Sequence, residues 1–95
     1  MTGTTRTSDG LDERRKRLLY RAWHRGMREM DLIMGKFADA EIGTMSEADL
    51  VTFELLNEVP DPDLYNWIAN NAAVPAPYDT ALLKRLRAFH HGRNV

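Results

Sequence analysis

Helical periodicity is the feature that most constrains this chain, because its apolar residues recur at spacings of three and four and no segment alternates with a period of two. These stripes predict an all-α fold, a small five-helix bundle in a single domain. The residues predicted to face its core are Leu18, Leu19, Ala22, Trp23, Met30, Ile33, Met34, Phe37, Ala38, Leu50, Phe53, Leu56, Val59, Leu64, Trp67, Ile68, Leu82, Leu83, Leu86 and Phe89.

Capping and breaking residues locate the ends of the first three helices. The first two are predicted at residues 12–25 and 27–40, with Gly26 between them. A loop is expected near Gly43, and Ser46 followed by Asp49 indicates a capping box for the third helix. That helix is predicted to stop before Pro60.

Capping residues also locate the last two helices. Asp61 followed by Pro62 indicates the N-cap and the first helical position of a short fourth helix that ends at Asn70-Asn71. After a loop stiffened by prolines, Asp79 or Thr80 is expected to cap the fifth helix. Gly92 is expected to end it.

The chain has 95 residues, which is room for one domain. Residues 1–10 carry nothing apolar after Met1 and are predicted to be a disordered tail, followed by the helical domain at 11–92 and a tail at 93–95. Neither a signal peptide nor an apolar run of about 20 residues is seen, so no membrane contact is expected. The predicted location is a bacterial cytoplasm, or the mitochondrial matrix if the source is eukaryotic.

Charge is distributed unevenly although the net charge is -1. Residues 6–28 contain eight basic and three acidic side chains, whereas residues 29–79 contain eleven acidic side chains and one base, Lys36. This separation predicts one face that attracts an anionic partner and another that repels it. For the basic first helix, three readings remain open: a solvated helix face, a protein-interaction module and a small helical nucleic-acid-binding module.

Catalytic and metal-binding residue sets are poorly represented. The chain has no cysteine, and its serines are Ser8 in the tail and Ser46 at a helix cap. His24 is far along the chain from the adjacent pair His90-His91, whose side chains would diverge on a helix. We therefore expect neither an enzyme nor a metal site. The sequence also contains no glycine-rich loop of the kind that binds the phosphates of a nucleotide.

The sharpest local feature is the corner Arg25-Gly26-Met27-Arg28-Glu29 between the first two helices. Gly26 can supply a positive φ there, and the flanking charges can offset the two helix ends. The same corner could also dock against a partner, because glycine lets a foreign backbone approach while a guanidinium and a carboxylate flank it.

These five residues match the RGxxE signature of the succinate dehydrogenase assembly factors, and the chain resembles that family more widely. The similar segments are Arg15-Lys16-Arg17-Leu18-Leu19-Tyr20, Met30-Asp31 through Phe37-Ala38, and Asp61-Pro62-Asp63-Leu64-Tyr65-Asn66-Trp67-Ile68. Together they cover most of residues 14–89.

The resemblance implies a monomeric five-helix factor, without catalysis of its own, that promotes covalent attachment of FAD to a histidine of the flavoprotein subunit of succinate dehydrogenase. Fumarate reductase is a second candidate client. No stably bound cofactor is expected, since the factor would act on the FAD of its partner. The implied mechanism is positioning, and good alignment of reacting groups can lower a barrier by about 7–11 kcal/mol.

Carried over residue by residue, the resemblance assigns partner contacts to Arg25, Gly26 and Glu29, with Arg28 and Asp31 flanking them. Substitution of Gly26 by valine is expected to reduce flavin attachment while leaving the fold nearly as stable. Trp67, in the second similar segment, is predicted to pack in the core.

Overall fold

The computed structural model describes residues 10–93, so most of the two predicted tails, at 1–9 and 94–95, lies outside the described residues. Within that range the fold is all-α, which confirms the predicted five-helix bundle. The α-helices are α1 (Glu13–Trp23), α2 (Arg28–Glu41), α3 (Glu47–Asn57), α4 (Asp61–Ala69) and α5 (Ala81–Arg93). Single 3₁₀ turns at Ile42–Thr44 and Ala76–Tyr78 complete the described elements.

Side-chain caps begin three of the helices. The Asp12 carboxylate accepts the backbone N–H of Arg15 at 2.8 Å before α1, and the Ser46 hydroxyl accepts that of Asp49 at 3.1 Å before α3, as predicted. Before α5, the cap is the Thr80 hydroxyl, which accepts a backbone N–H at 3.3 Å. Each cap satisfies one N–H that the first helical turn leaves unpaired.

Two predictions of residues at helix ends are wrong. Asp61 is the first residue of α4 and does not cap it, because its carboxylate is engaged by a guanidinium from the other side of the bundle. Gly92 does not end α5, which continues to Arg93. The loop around Pro75 and Pro77 contains a 3₁₀ turn, which packs through Tyr78 on the indole of Trp67 with ring centroids 5.1 Å apart.

The core contains nearly all of the residues predicted to face inward, including Trp67, which is buried. Phe37 lies near its centre and contacts Phe53 and Phe89, with ring centroids 6.1 and 5.5 Å away. Ile42 and Met45 are also buried, although they lie in the connection between α2 and α3 where a loop was expected. Within the described residues, no helix is long and apolar enough to cross a bilayer.

Helices α1 and α2 are in close contact where Trp23 lies over Gly35. A Cβ placed on Gly35 would stand 2.2 Å from the nearest atom of the indole, so only a glycine fits beneath this ring. The indole N–H donates to the Asp39 carboxylate at 3.1 Å, which fixes the ring along α2.

Candidate functional site

The connection between α1 and α2 spans residues 24–27, overlaps the corner at 25–29, and turns through Gly26, whose φ is +109°. A positive φ at this glycine was predicted, and the structure confirms it. It falls two residues after the C-cap, His24, whose backbone N–H donates to the carbonyl of Arg21 at 3.3 Å. Gly26 is exposed, and a Cβ there would meet nothing within 4 Å, so the backbone conformation alone requires glycine.

Asp31 holds the corner from inside the first turns of α2. Its Oδ1 atom accepts the backbone N–H of Arg25 at 2.5 Å and that of Gly26 at 3.2 Å. Both N–H groups lie outside a helix and would otherwise lack a partner in the bend. The carboxylate predicted to flank a docking patch therefore fixes the shape of the turn.

Arg25 is buried. Its side chain is 7% exposed and forms an ion pair of 2.7 Å with Asp61, which is 14% exposed. The guanidinium also donates to the backbone carbonyls of Asn57 at 2.8 Å and Val59 at 2.6 Å. One arginine thus ties the end of α1 to the connection between α3 and α4.

Asn57 lies beside this arginine and is 6% exposed. Its carboxamide oxygen is 3.4 Å from the guanidinium, and its Nδ2 atom has no hydrogen-bond partner among the described residues. Sequence reasoning missed Asn57 and the inward role of Asp61. The available signal was that Asn57 and Asp61 are polar residues at and after the end of the apolar stripe of α3. Their spacing in the sequence did not show that they contact Arg25.

The outward part of the corner consists of Gly26, Arg28 and Glu29. All three are exposed, and neither charged side chain forms an ion pair within the described part of the chain. Glu29 stands at the edge of a shallow groove between α2, α4 and α5. The groove is lined by Glu29, Leu32, Ile33, Lys36, Tyr65, Phe89 and His90.

Of the five predicted contact residues, the structure therefore places Gly26, Arg28 and Glu29 together on the surface. The Arg25 side chain is largely covered and paired with Asp61, and Asp31 is committed to backbone N–H groups. An exposed acceptor beside a bare backbone can contact a partner, whereas a buried guanidinium acts on the shape of the corner.

Two basic residues of α1, Arg14 and Arg21, pair with acidic residues of α3 and its C-cap, whereas Arg15 and Lys16 pair with acidic residues at the start of α1 itself. Arg14 donates to Glu47 and Glu54, at 2.5 and 2.8 Å, and Arg21 forms an ion pair of 2.7 Å with Glu58. The hydrogen bonds from Arg14 lower the pKa of Glu54. The basic charge of α1 is therefore partly offset by acidic residues of α3 and of its own N-terminus, which does not favour the nucleic-acid-binding module.

The histidines do not form a metal site among the described residues. His24 stacks on Tyr20 with ring centroids 3.9 Å apart. Burial, with a smaller contribution from His91, lowers the pKa of His90. Among the residues that the structure describes, no group of three His, Asp or Glu side chains is arranged to hold a metal ion.

Comparison with known proteins identifies relatives over most of the chain. A sequence profile of the family described as flavinator of succinate dehydrogenase matches residues 16–90. The chain is 42% identical over 84 residues to the mitochondrial succinate dehydrogenase assembly factor 2 of Dictyostelium discoideum, covering 88% of this chain and 58% of that relative. It is 38% identical over 78 residues to the FAD assembly factor SdhE of Acetobacter pasteurianus, covering 82% and 72% of the two chains.

A vertebrate relative gives the same result. The mitochondrial succinate dehydrogenase assembly factor 2 of Danio rerio is 34% identical over 92 residues, which is 95% of this chain and 58% of the relative. The chain thus spans somewhat more than half the length of its Dictyostelium and Danio relatives. All five residues of the corner lie inside the region that the family profile matches.

Proposed function

The chain belongs to the family described as flavinator of succinate dehydrogenase, and from that premise we propose that it is an assembly factor for a flavoprotein. In this proposal it binds the flavoprotein subunit of succinate dehydrogenase and promotes covalent attachment of FAD to a histidine of that subunit. The observation that carries the proposal is the exposed Glu29 beside the bare backbone of Gly26, in the motif that first suggested the family.

Positioning is the mechanism that these residues support. The exposed corner offers one carboxylate, one guanidinium and an accessible backbone, which suffice to orient a partner but include no nucleophile. Holding a histidine and a flavin in a reactive arrangement can lower a barrier by about 7–11 kcal/mol without an acid or base on the factor. We therefore propose a chaperone-like, non-catalytic role, in which the bond forms between groups of the partner.

In this proposal the corner residues have two roles, contact with the flavoprotein and support of the turn. Glu29 and Arg28 make charged contacts with the flavoprotein, and Gly26 allows its backbone to come close. Arg25 and Asp31 act from the inside, through the ion pair with Asp61 and the hydrogen bonds to two backbone N–H groups. Rigid support of this kind lowers the entropy lost on docking.

The remaining expectations stay predictions of the same proposal. The flavoprotein of succinate dehydrogenase is the first partner and that of fumarate reductase the second, with no nucleic acid or membrane involved. The factor acts as a monomer on the FAD of its partner and holds no cofactor stably. The names of the relatives span mitochondrial and bacterial assembly factors, so either compartment suits the proposal.

Co-expression tests the proposed function. The flavoprotein subunit is produced in a host that lacks its own assembly factor, with and without this chain, and covalent flavin is measured by fluorescence in a denaturing gel. The proposal predicts strong flavin fluorescence only in the presence of the chain. Equal fluorescence in its absence would refute the assembly role.

A further inference from the structure

The groove beside Glu29 combines an apolar floor with charged ends. Leu32 and Ile33 on α2, Tyr65 on α4 and Phe89 on α5 form its apolar walls, and each of the four is partly buried. Its volume is about 260 Å³. Pockets that enclose drug-sized ligands are typically about 300–1,000 Å³, so this groove suits a side chain or two of a protein partner better than a dinucleotide.

Charge gives the groove a direction. Glu29 and Lys36 both line it and are seven residues apart on α2, which is two turns and about 10 Å along the helix axis. Neither side chain forms an ion pair with another described residue. His90 also lines the groove, and burial lowers its pKa, which disfavours its cationic form.

An occupant must match this order of groups. The acidic end favours a cation, the apolar walls favour a hydrophobic side chain, and Lys36 favours an anion. The spacing of about 10 Å corresponds to about three residues of extended chain or two turns of a helix. A single amino acid or an inorganic ion cannot satisfy all three parts.

We propose that the groove receives a segment of the flavoprotein subunit that presents, in order, a basic side chain to Glu29, an apolar side chain between Ile33 and Phe89, and an acidic side chain to Lys36. This inference rests on the proposed function, because it extends the contact at Glu29 along α2. The opposite charges at the two ends fix the direction in which the segment lies, and so orient the factor on its partner.

Binding measurements with four single variants test the groove. The full chain and the purified flavoprotein subunit are titrated by calorimetry or biolayer interferometry. Lys36→Glu reverses the distal charge, and Lys84→Glu makes the same change at an exposed site of α5 outside the groove. Ile33→Ser removes an apolar wall, and Val51→Ser is its control at an exposed position of α3.

Lys36→Glu is expected to weaken binding about tenfold, since an attraction is lost and a repulsion is added. Ile33→Ser is expected to weaken it by a similar factor, while both controls bind like the unmodified chain. Circular dichroism shows that each variant is folded, and Lys36→Met replaces Lys36→Glu if that variant is not.

The outcomes separate this inference from the proposed function. If the unmodified chain binds the flavoprotein and the groove variants bind equally well, the groove is not the docking site and the inference fails alone. If the unmodified chain does not bind, the proposed function fails with it. Equal losses in groove and control variants would indicate a nonspecific charge effect and would also overturn the inference.

Discussion

Arg25 and Glu29 lie four residues apart on one corner but face different environments: the Arg25 side chain is 7% exposed and paired with Asp61, whereas Glu29 is exposed at the rim of a groove. The motif that appeared in sequence as a pair of docking charges is therefore one buried anchor and one surface acceptor. This division predicts that substitutions at the two positions differ in kind, one acting on stability and the other on binding.

Replacement of Arg25 by methionine is expected to lower the free energy of unfolding by about 3 kcal/mol, because Asp61 is left partly buried without its partner. Arg21→Met is the matched control, since Arg21 pairs with Glu58 at a site where the side chains are 46% and 67% exposed. Exposed pairs contribute about 0–1 kcal/mol. Urea unfolding measures both, and equal losses would show that the Arg25 network does not anchor the corner.

Gly35→Ala is expected to destabilise the protein by about 1–3 kcal/mol or more, because its methyl group would overlap the indole of Trp23. Gly92→Ala provides the comparison: that glycine is also helical, and nothing lies within 4 Å of the added Cβ. It should be neutral or stabilising by up to about 1 kcal/mol. Similar melting temperatures for the two variants would contradict the close packing of α1 on α2.

The expectation that a valine at Gly26 would leave stability nearly unchanged is wrong, because the φ of +109° at this residue is one that L side chains rarely adopt. Gly26→Ala should cost about 1–3 kcal/mol through backbone strain. A D-alanine at the same site, introduced by chemical ligation, adopts positive φ readily and should restore the melting temperature. If the flavoprotein needs the bare backbone, the D-alanine protein is stable but supports less flavin attachment. Full attachment would contradict the claim that the flavoprotein approaches the backbone of Gly26 closely.

Sequence periodicity was sufficient for the helices and for most of the core, since both follow from the spacing of apolar residues. It was insufficient for Arg25, because spacing does not tell which way a side chain leaves a turn. Asp61 met every local criterion for a cap, yet a guanidinium 36 residues earlier in the chain engages it. Gly35 carried no signal, because its need for a small side chain arises from Trp23 on another helix.

Acid should weaken the fold through the interhelical pairs. Hydrogen bonds from Arg85 and Arg14 lower the pKa values of Asp49 and Glu54 in the folded protein. Their stabilisation is thus present above the ordinary carboxyl pKa of about 4 and is lost as the pH falls through the lowered pKa values of the folded protein. Melting temperatures from pH 7 to pH 2 should fall less steeply for Arg14→Met and Arg85→Met than for the unmodified chain; parallel curves would contradict this origin.

The most direct test of the central claim compares Glu29→Gln with Glu13→Gln in promoting flavin attachment. Each variant removes one exposed carboxylate from the first turn of a helix, so the loss of helix-dipole stabilisation is matched. With purified flavoprotein and FAD, Glu29→Gln should slow the appearance of covalent flavin about tenfold or more, while Glu13→Gln acts like the unmodified chain. Equal rates for the two variants would contradict the assignment of Glu29 as the docking carboxylate.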